Sequence, residues 1–425
     1  MLPELRRAFN RDYRPEHYRA LLEDCSRRAR APLEFRISET PCFFPRTLID
    51  RIAATGAELT RQLLANPAFL KASEEAVPER FRAPNCSAHP HFMTADFGLV
   101  REEDGSLAPR LVELQAFPSI FGFQWVLSEA YRAAFDLPPS LRCLLGGLDE
   151  SAYWKLLDRV IVGGHDPETV VLVDVEPGRQ KTLPDFNVTA DRLGIRIVDI
   201  AEIEPQDPGG GRPGSLPRLC YRNGKRLIPI RRIYNRAIVD EMVRKQVRLR
   251  FDYRESFEVE WAGHPNWYFH ISKFSLPWLD HPAVPPAVFL DEWFQGRGRH
   301  RLPEERERWI LKPLYSFAGQ GIVFAPTDEQ LAAIPKRNRC DYLLQERVTF
   351  EPVIDTPAGP TQAEIRILYV WPDRARLTPL IGLVRLGRGR MMGVDHNLQQ
   401  SWVGASAAFF PASRPGIVTS AINPA

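Results

Sequence analysis

Residues 309–324 read WILKPLYSFAGQGIVF: an apolar run carrying Lys312, a short bend rich in small residues, and a second apolar run. A bend can hold phosphate when its backbone N–H groups converge and its residues let an anion approach, and Ser316-Phe317-Ala318-Gly319-Gln320-Gly321 offers both. It is not a P-loop, because the lysine precedes the glycines and no helix follows them. Nor is it a dinucleotide fingerprint, which joins a strand to a helix, whereas here strand follows strand. Taken alone, the stretch reads as an ordinary hairpin closed by a glycine turn.

A second group of chemically able residues lies far upstream, Asp96 in TADFGLV and Glu113 with Gln115 in RLVELQAF. Residues two apart on a strand face the same side, so Glu113 and Gln115 can act together, and a hairpin partner brings Asp96 beside them. Carboxylate and amide oxygens suit Mg²⁺ bridging the β and γ oxygens of a triphosphate. The same alternation also describes polar residues facing solvent from a half-buried sheet. His89 and His91 have a spacing compatible with a metal but no third ligand, and read as a loop or strand-start pair. Only eight of the 56 basic residues are lysine, so a retained lysine raises a specific question, although a genome-wide bias accounts for the scarcity equally well.

The elements that must position these residues fall into four stretches. Residues 1–80 carry helical periodicity, as in RTLIDRIAATGAELTRQLL, where Leu48, Ile52, Leu59 and Leu63 share a face. Residues 81–150 hold the hairpin, with Asp104-Gly105 as its turn signal, and then the helical FGFQWVLSEAYRAAF. Residues 151–262 alternate strand and helix (TVVLVDVEP, PDFNVTADRLG, IRIVDI), a small doubly wound unit interrupted by the Gly/Pro-rich IEPQDPGGGRPGSLPRL. Residues 263–425 run from FHISKFSLPWL through strands including DYLLQERV, AEIRILYVW and LTPLIGLVRLG.

The set LKPLYSFAGQGI, LLQERV and AEIRIL resembles the nucleotide-binding half of the ATP-grasp family. That resemblance implies an α/β (α+β) chain in which Lys273 and Lys312 contact phosphate, Ser316, Ala318, Gly319, Gln320 and Gly321 form a lid loop, Gln345, Glu346 and Val348 belong to an adenine hinge, and Glu364 lies near the ribose. ATP and Mg²⁺ are the implied cofactors. The family normally places its metal ligands after this half, where the chain offers only GVDHN with Asp395 and Asn397. The hairpin acids come before it, an order resembling the circularly permuted members, eukaryotic-type glutathione synthetases first and glutathionylspermidine synthetases next. Asp96, Glu113 and Gln115 would then hold the metal, Gln115 and Ser316 standing where that family has Asn and an acid. Arg236 and Arg385 correspond to substrate-binding arginines, with Arg388 and Arg390 as alternatives for an ATP contact; a further substrate arginine of the family falls at Thr94. The implied activity is an ATP-dependent carboxylate–amine ligase acting on a small-molecule acid, an amino acid or short peptide, and an amine. An ATP-grasp kinase and a nucleotide-binding scaffold without turnover stay open as alternatives.

Length and composition bound these readings. A chain of 425 residues exceeds the size of one growing core, so two or three units sharing an interface are expected. No apolar run is long enough to span a bilayer, and MLPELRRAFNRDYRPEHY lacks the apolar stretch of a secretory signal, so a cytoplasmic protein with no membrane partner is expected. A net charge of +3 without a basic, aromatic-interleaved run excludes nucleic acid as the expected partner. Six scattered cysteines form no C-x-x-C pair and read as reduced, packed side chains. A homodimer is left open.

Overall fold

A mixed sheet forms the middle of the protein, in the strand order Cys42–Phe43, Gly404–Pro411, Thr378–Gly387, Gln362–Val370, Phe92–Arg101, Leu107–Gln115, with Leu141–Arg142 pairing the end of Gly404–Pro411. The computed structural model describes residues 1–207, 215–316, 319–390, 392 and 399–412. Cys42–Phe43 runs parallel to its neighbour and the remaining pairs are antiparallel. The early hairpin therefore lies beside strands almost 270 residues later in the chain, because Gln362–Val370 pairs with Phe92–Arg101 from Glu364↔Gly98 to Val370↔Phe92.

Both faces of this sheet are covered, and the strand sequences are apolar on both faces accordingly. Ala405, Ala407 and Phe409 pack on the side of the helix Phe121–Ala134, whereas Ala408 and Phe410 pack on the side of the helix Arg46–Leu64. Leu48, Ile52, Leu59 and Leu63 of Arg46–Leu64 are all buried, as their helical spacing predicts. That helix sits so close that a Cβ on Gly56 would collide with the Tyr369 hydroxyl, which donates to Ala53 O at 2.9 Å. Residues 1–80 also supply a strand besides their helices: Cys42–Phe43 extends the central sheet, and two residues are too few to reveal a strand period.

A parallel sheet, in the order Glu260–Ala262, Arg232–Asn235, Val170–Asp174, Arg196–Asp199, carries the doubly wound pattern read between residues 151 and 262. The helix Leu183–Leu193 packs against Phe121–Ala134 and stops at Gly194, whose φ of 70° ends it. A third sheet, antiparallel, orders Ala287–Phe289, Tyr342–Glu346, Trp309–Pro313, Val323–Phe324. The quoted lysine stretch is therefore strand, bend, strand, with Ile310↔Phe324 and Leu311↔Val323 in register. A small antiparallel sheet of Glu204–Gln206, Arg218–Asn223 and Arg226–Pro229 completes the set, with Asn223-Gly224 at the turn of its second hairpin and Gly224 at a φ of 61°. The fold is of the mixed α+β class. Among the described residues no helix is long and apolar enough to cross a membrane. All six cysteines are free.

Candidate functional site

The third sheet and the outer edge of the central sheet face each other across a cleft of about 480 Å³, with Lys181, Thr182 and Arg236 of the parallel unit at its side. Asp96, Glu113, Gln115, Lys273, Lys312, Ser316, Gly319, Gln345, Glu346, Val348, Glu364, Arg236 and Arg385 all line it. Gln320 and Gly321 are exposed and do not, and Ala318 lies outside the described residues.

The hairpin supplies the cleft's oxygen donors. Asp96 sits directly opposite Glu113, and Thr94 opposite Gln115. One residue farther on the pairing jumps from Asp96↔Glu113 to Phe97↔Leu111, so Val112 is an extra residue bulged out of the ladder. Its carbonyl accepts a hydrogen bond from Lys312 Nζ at 3.3 Å. A simple alternating pattern gives no hint of this bulge, yet it is what links the hairpin to the lysine strand.

Lys312 is 6% exposed and has no carboxylate within ion-pair distance among the described residues. Burial pulls its ammonium down to about 8, against the opposing pull of Glu113. Lys273, at the start of the short 3-10 helix Lys273–Trp278, pairs with Glu113 Oε1 at 2.9 Å and donates to Ser316 O at 2.6 Å. It thus pins the first residue of the bend. Gly319 and Gly321 adopt φ of 74° and 73°, conformations that favour glycine in a turn this tight.

The inner strands form a different kind of wall. Arg366 grips Asp96 with two parallel bonds, Nε to Oδ1 and Nη2 to Oδ2, both 2.6 Å, and Arg385 bonds both Asp96 and Glu364. Burial would raise the Asp96 carboxyl, but the two guanidinium groups outweigh it and hold it below its usual range. Burial raises Glu364, with Arg385 opposing. Asp96 was expected to hold a cation; instead both its oxygens are taken by guanidinium donors, which leaves Glu113 and Gln115 as the hairpin's available donors. Among the described residues no three His, Cys, Asp or Glu side chains gather as a metal cluster. His89 and His91 are apart from the cleft: His89 stacks on Trp371, and His91 faces Asp373.

Arg366 is the main residue that motif reasoning missed. The rule that paired Glu113 with Gln115 applies equally to Glu364 and Arg366 in AEIRIL, and would have found it. Arg236, at the carboxyl end of Arg232–Asn235, pairs with buried Asp185 and donates to Ser119 O at 2.7 Å; Arg366 Nη1 reaches Ser119 Oγ at 3.5 Å. Two arginines therefore meet on Ser119, in the turn between the hairpin and the helix Phe121–Ala134. Arg390 also lines the cleft, Arg388 does not, and Asp395 and Asn397 lie outside the described residues.

At the expected hinge, Glu346 N–H donates to Pro286 O at 2.9 Å and Arg347 N–H to Arg308 O at 2.6 Å. The backbone of Val348, which lines the cleft, makes no hydrogen bond with the described residues. Gln345 is 1% exposed and its Nε2 has no partner. Phe350 is packed so tightly on Gly98 that any side chain there would displace its ring.

No family model matches the chain, and no curated protein does. Among solved structures, the chain is similar to a glutathione synthetase-like effector from Globodera pallida, determined in its apo form. The two share 13% identity over 94% of this chain and 98% of that one, with a TM-score of 0.55. The fold is glutathione synthetase-like.

Proposed function

We propose that the cleft binds ATP with a divalent cation, on a circularly permuted ATP-grasp framework, and that the protein joins a carboxylic acid to an amine at the expense of ATP. The observation that carries this reading is that Lys273 and Lys312, from separate elements and each 6% exposed, both line the cleft, while among the described residues only Lys273 has an ion-paired carboxylate, Glu113. Two buried ammonium groups with one ion-paired acid between them are under-compensated, and a polyanion laid against them supplies the missing charge. Val348, with its backbone unused, and Gln345, with an unpaired amide nitrogen, fit the edge of a base.

Glu113 and Gln115 fit a hard cation, with Glu364 as a third oxygen donor on the same cleft. A cation held there would neutralise phosphate charge as it moves. Asp96 does not serve as a ligand in this version: it holds Arg366 and Arg385 in place, and with Arg236 they offer planar donors for a substrate carboxylate. Transfer of the terminal phosphoryl group to that carboxylate would release ADP and give an acyl phosphate, from which the amine nitrogen displaces inorganic phosphate and loses its proton to solvent, and the protein's part is to bind, orient and exclude water. No side chain acts as a covalent nucleophile.

The test is calorimetric titration of ATP with Mg²⁺, followed by ADP release across a panel of amino acids and amines. Saturable ATP binding lost in Lys312→Met, with ADP release that requires an acid and an amine together, supports the ligase; release with the acid alone makes it a kinase. Wild-type protein that fails to bind ATP ends the reading. A scaffold that binds nucleotide without turnover is the second reading, favoured by the engagement of both Asp96 oxygens and by Ser316 in the bend; it gives binding with no ADP from any mixture.

A further inference from the structure

A second cavity, about 270 Å³ and sharing no residue with the cleft, opens among four segments distant in sequence. Residues 83–91 ahead of the hairpin form one side and the loop from Phe251 to Val259 another. Glu260, Trp261 and His264 come from the edge strand of the parallel sheet and just beyond it, Arg232 from the strand beside it, and Asp373 from the turn after Gln362–Val370. Its apolar wall is aromatic. Phe251 and Phe257 meet edge to face with centroids 5.8 Å apart, and Tyr253 and Trp261 lie nearly parallel at 6.0 Å.

The charges around this wall are not balanced. Arg232 is the cavity's only lining cation among the described residues, and it is turned inward: Nε donates to Ile161 O, Nη2 to Val160 O, and Nη1 pairs with Glu260. His264 donates from Nε2 to Pro84 O and receives the Asn266 N–H at Nδ1, the pattern of a neutral ring, and burial pulls it down to about 4. His91 is likewise pulled down by burial, with Asp373 opposing. Two carboxylates remain. Asp373 faces only the His91 imidazole with its side chain, and the carboxylate of the exposed Glu255 makes no hydrogen bond or ion pair among the described residues, with Arg254, itself bonded to Asp252, as its nearby cation.

We propose that this cavity binds a small organic cation, of which an aliphatic ammonium is the simplest. Ring faces attract a cation through their quadrupole, and rim carboxylates held by no cation at ion-pair distance, Asp373 by a neutral imidazole only, draw it in and exclude anions. The volume lies just below the roughly 300–1,000 Å³ of pockets for drug-sized ligands, so the occupant is a small molecule rather than a peptide. Nothing in this assignment depends on what the main cleft binds.

The experiment uses the full chain, with n-butylammonium and tetramethylammonium as probes and 1-butanol and butyrate as the neutral and anionic counterparts, read by calorimetry and ligand-observed saturation-transfer NMR. Both cations should bind, and the neutral and anionic molecules should not. Glu255→Gln combined with Asp373→Asn alters two exposed positions, so the fold should survive, and cation affinity should drop by about tenfold. Butanol binding as well as butylammonium, an unchanged affinity in the double variant, or no cation binding overturns the proposal. So does weakening that follows Glu113→Gln instead, since that places the cation in the main cleft.

Discussion

The two walls of the cleft handle buried charge in opposite ways. On the arginine wall, Arg366 and Arg385 face Asp96 and Glu364, two cations against two anions, every carboxylate engaged and one pair bidentate. On the lysine wall, Glu113 pairs with Lys273, and Lys312 makes only a 3.3 Å bond to a bulged carbonyl. Removing one member of a closed buried network strands its partner, whereas removing a poorly compensated charge relieves the fold. The difference teaches which side holds shape and which side waits for an anion.

The sharpest way to break the comparison is on the closed side. Asp96→Ala leaves Arg366 without its bidentate acid and Arg385 with Glu364 alone, so it should cost about 3–5 kcal/mol in urea unfolding. A loss within the ordinary range of surface substitutions, roughly 0.5 kcal/mol, would show that the network does not hold the inner strands together.

On the open side the signs separate. Lys312→Met should weaken ATP binding by about a hundredfold, roughly 2.7 kcal/mol, yet unfold no more easily at pH 7. Stability should rise, with about 3 kcal/mol as the upper bound set by a pKa displaced from 10.5 to about 8. A destabilised Lys312→Met would mean that the lysine is a structural ion pair like those opposite.

Proton linkage sharpens the same point. Between pH 8 and 10.5 the unfolded chain keeps the Lys312 proton that the folded protein has lost, so the unfolded state binds more protons and stability rises with pH across that window. The rise should vanish in Lys312→Met. ATP affinity should fall in the wild type as pH climbs through about 8, and Lys312→Arg, which stays charged, should flatten that fall.

Legibility in the sequence followed the same division. The lysine strand, its bend, and the Glu113–Gln115 pair were readable because each is a local pattern of period two or a turn. The Asp96–Arg366 pair joins residues 270 apart, and neither periodicity nor turn chemistry specifies which strand lies beside which. The bulge at Val112 leaves RLVELQ looking regular, since one extra residue alters pairing without altering composition. Cys42–Phe43 shows as a strand only once Gly404–Pro411 is beside it. Arg236 and Arg385 are therefore legible as candidates, while Arg366 and the engagement of these side chains with Asp96, Glu364 and Asp185 are not.

The smallest effect tests whether the open character extends to the far end of the cleft. Gln345 is buried on the strand Tyr342–Glu346 with Nε2 unpaired, and an unsatisfied buried donor carries a desolvation cost of about 1–3 kcal/mol. Methionine has a similar length and flexibility and no such donor, so Gln345→Met should raise the melting temperature of the free protein by a few degrees, a gain of about 1 kcal/mol. If Gln345 contacts the base, the nucleotide stabilises the variant less than the wild type, and the two melting curves draw together as ATP is added. A variant that melts lower without nucleotide would place Gln345 with the closed arginine network, not with the lysines.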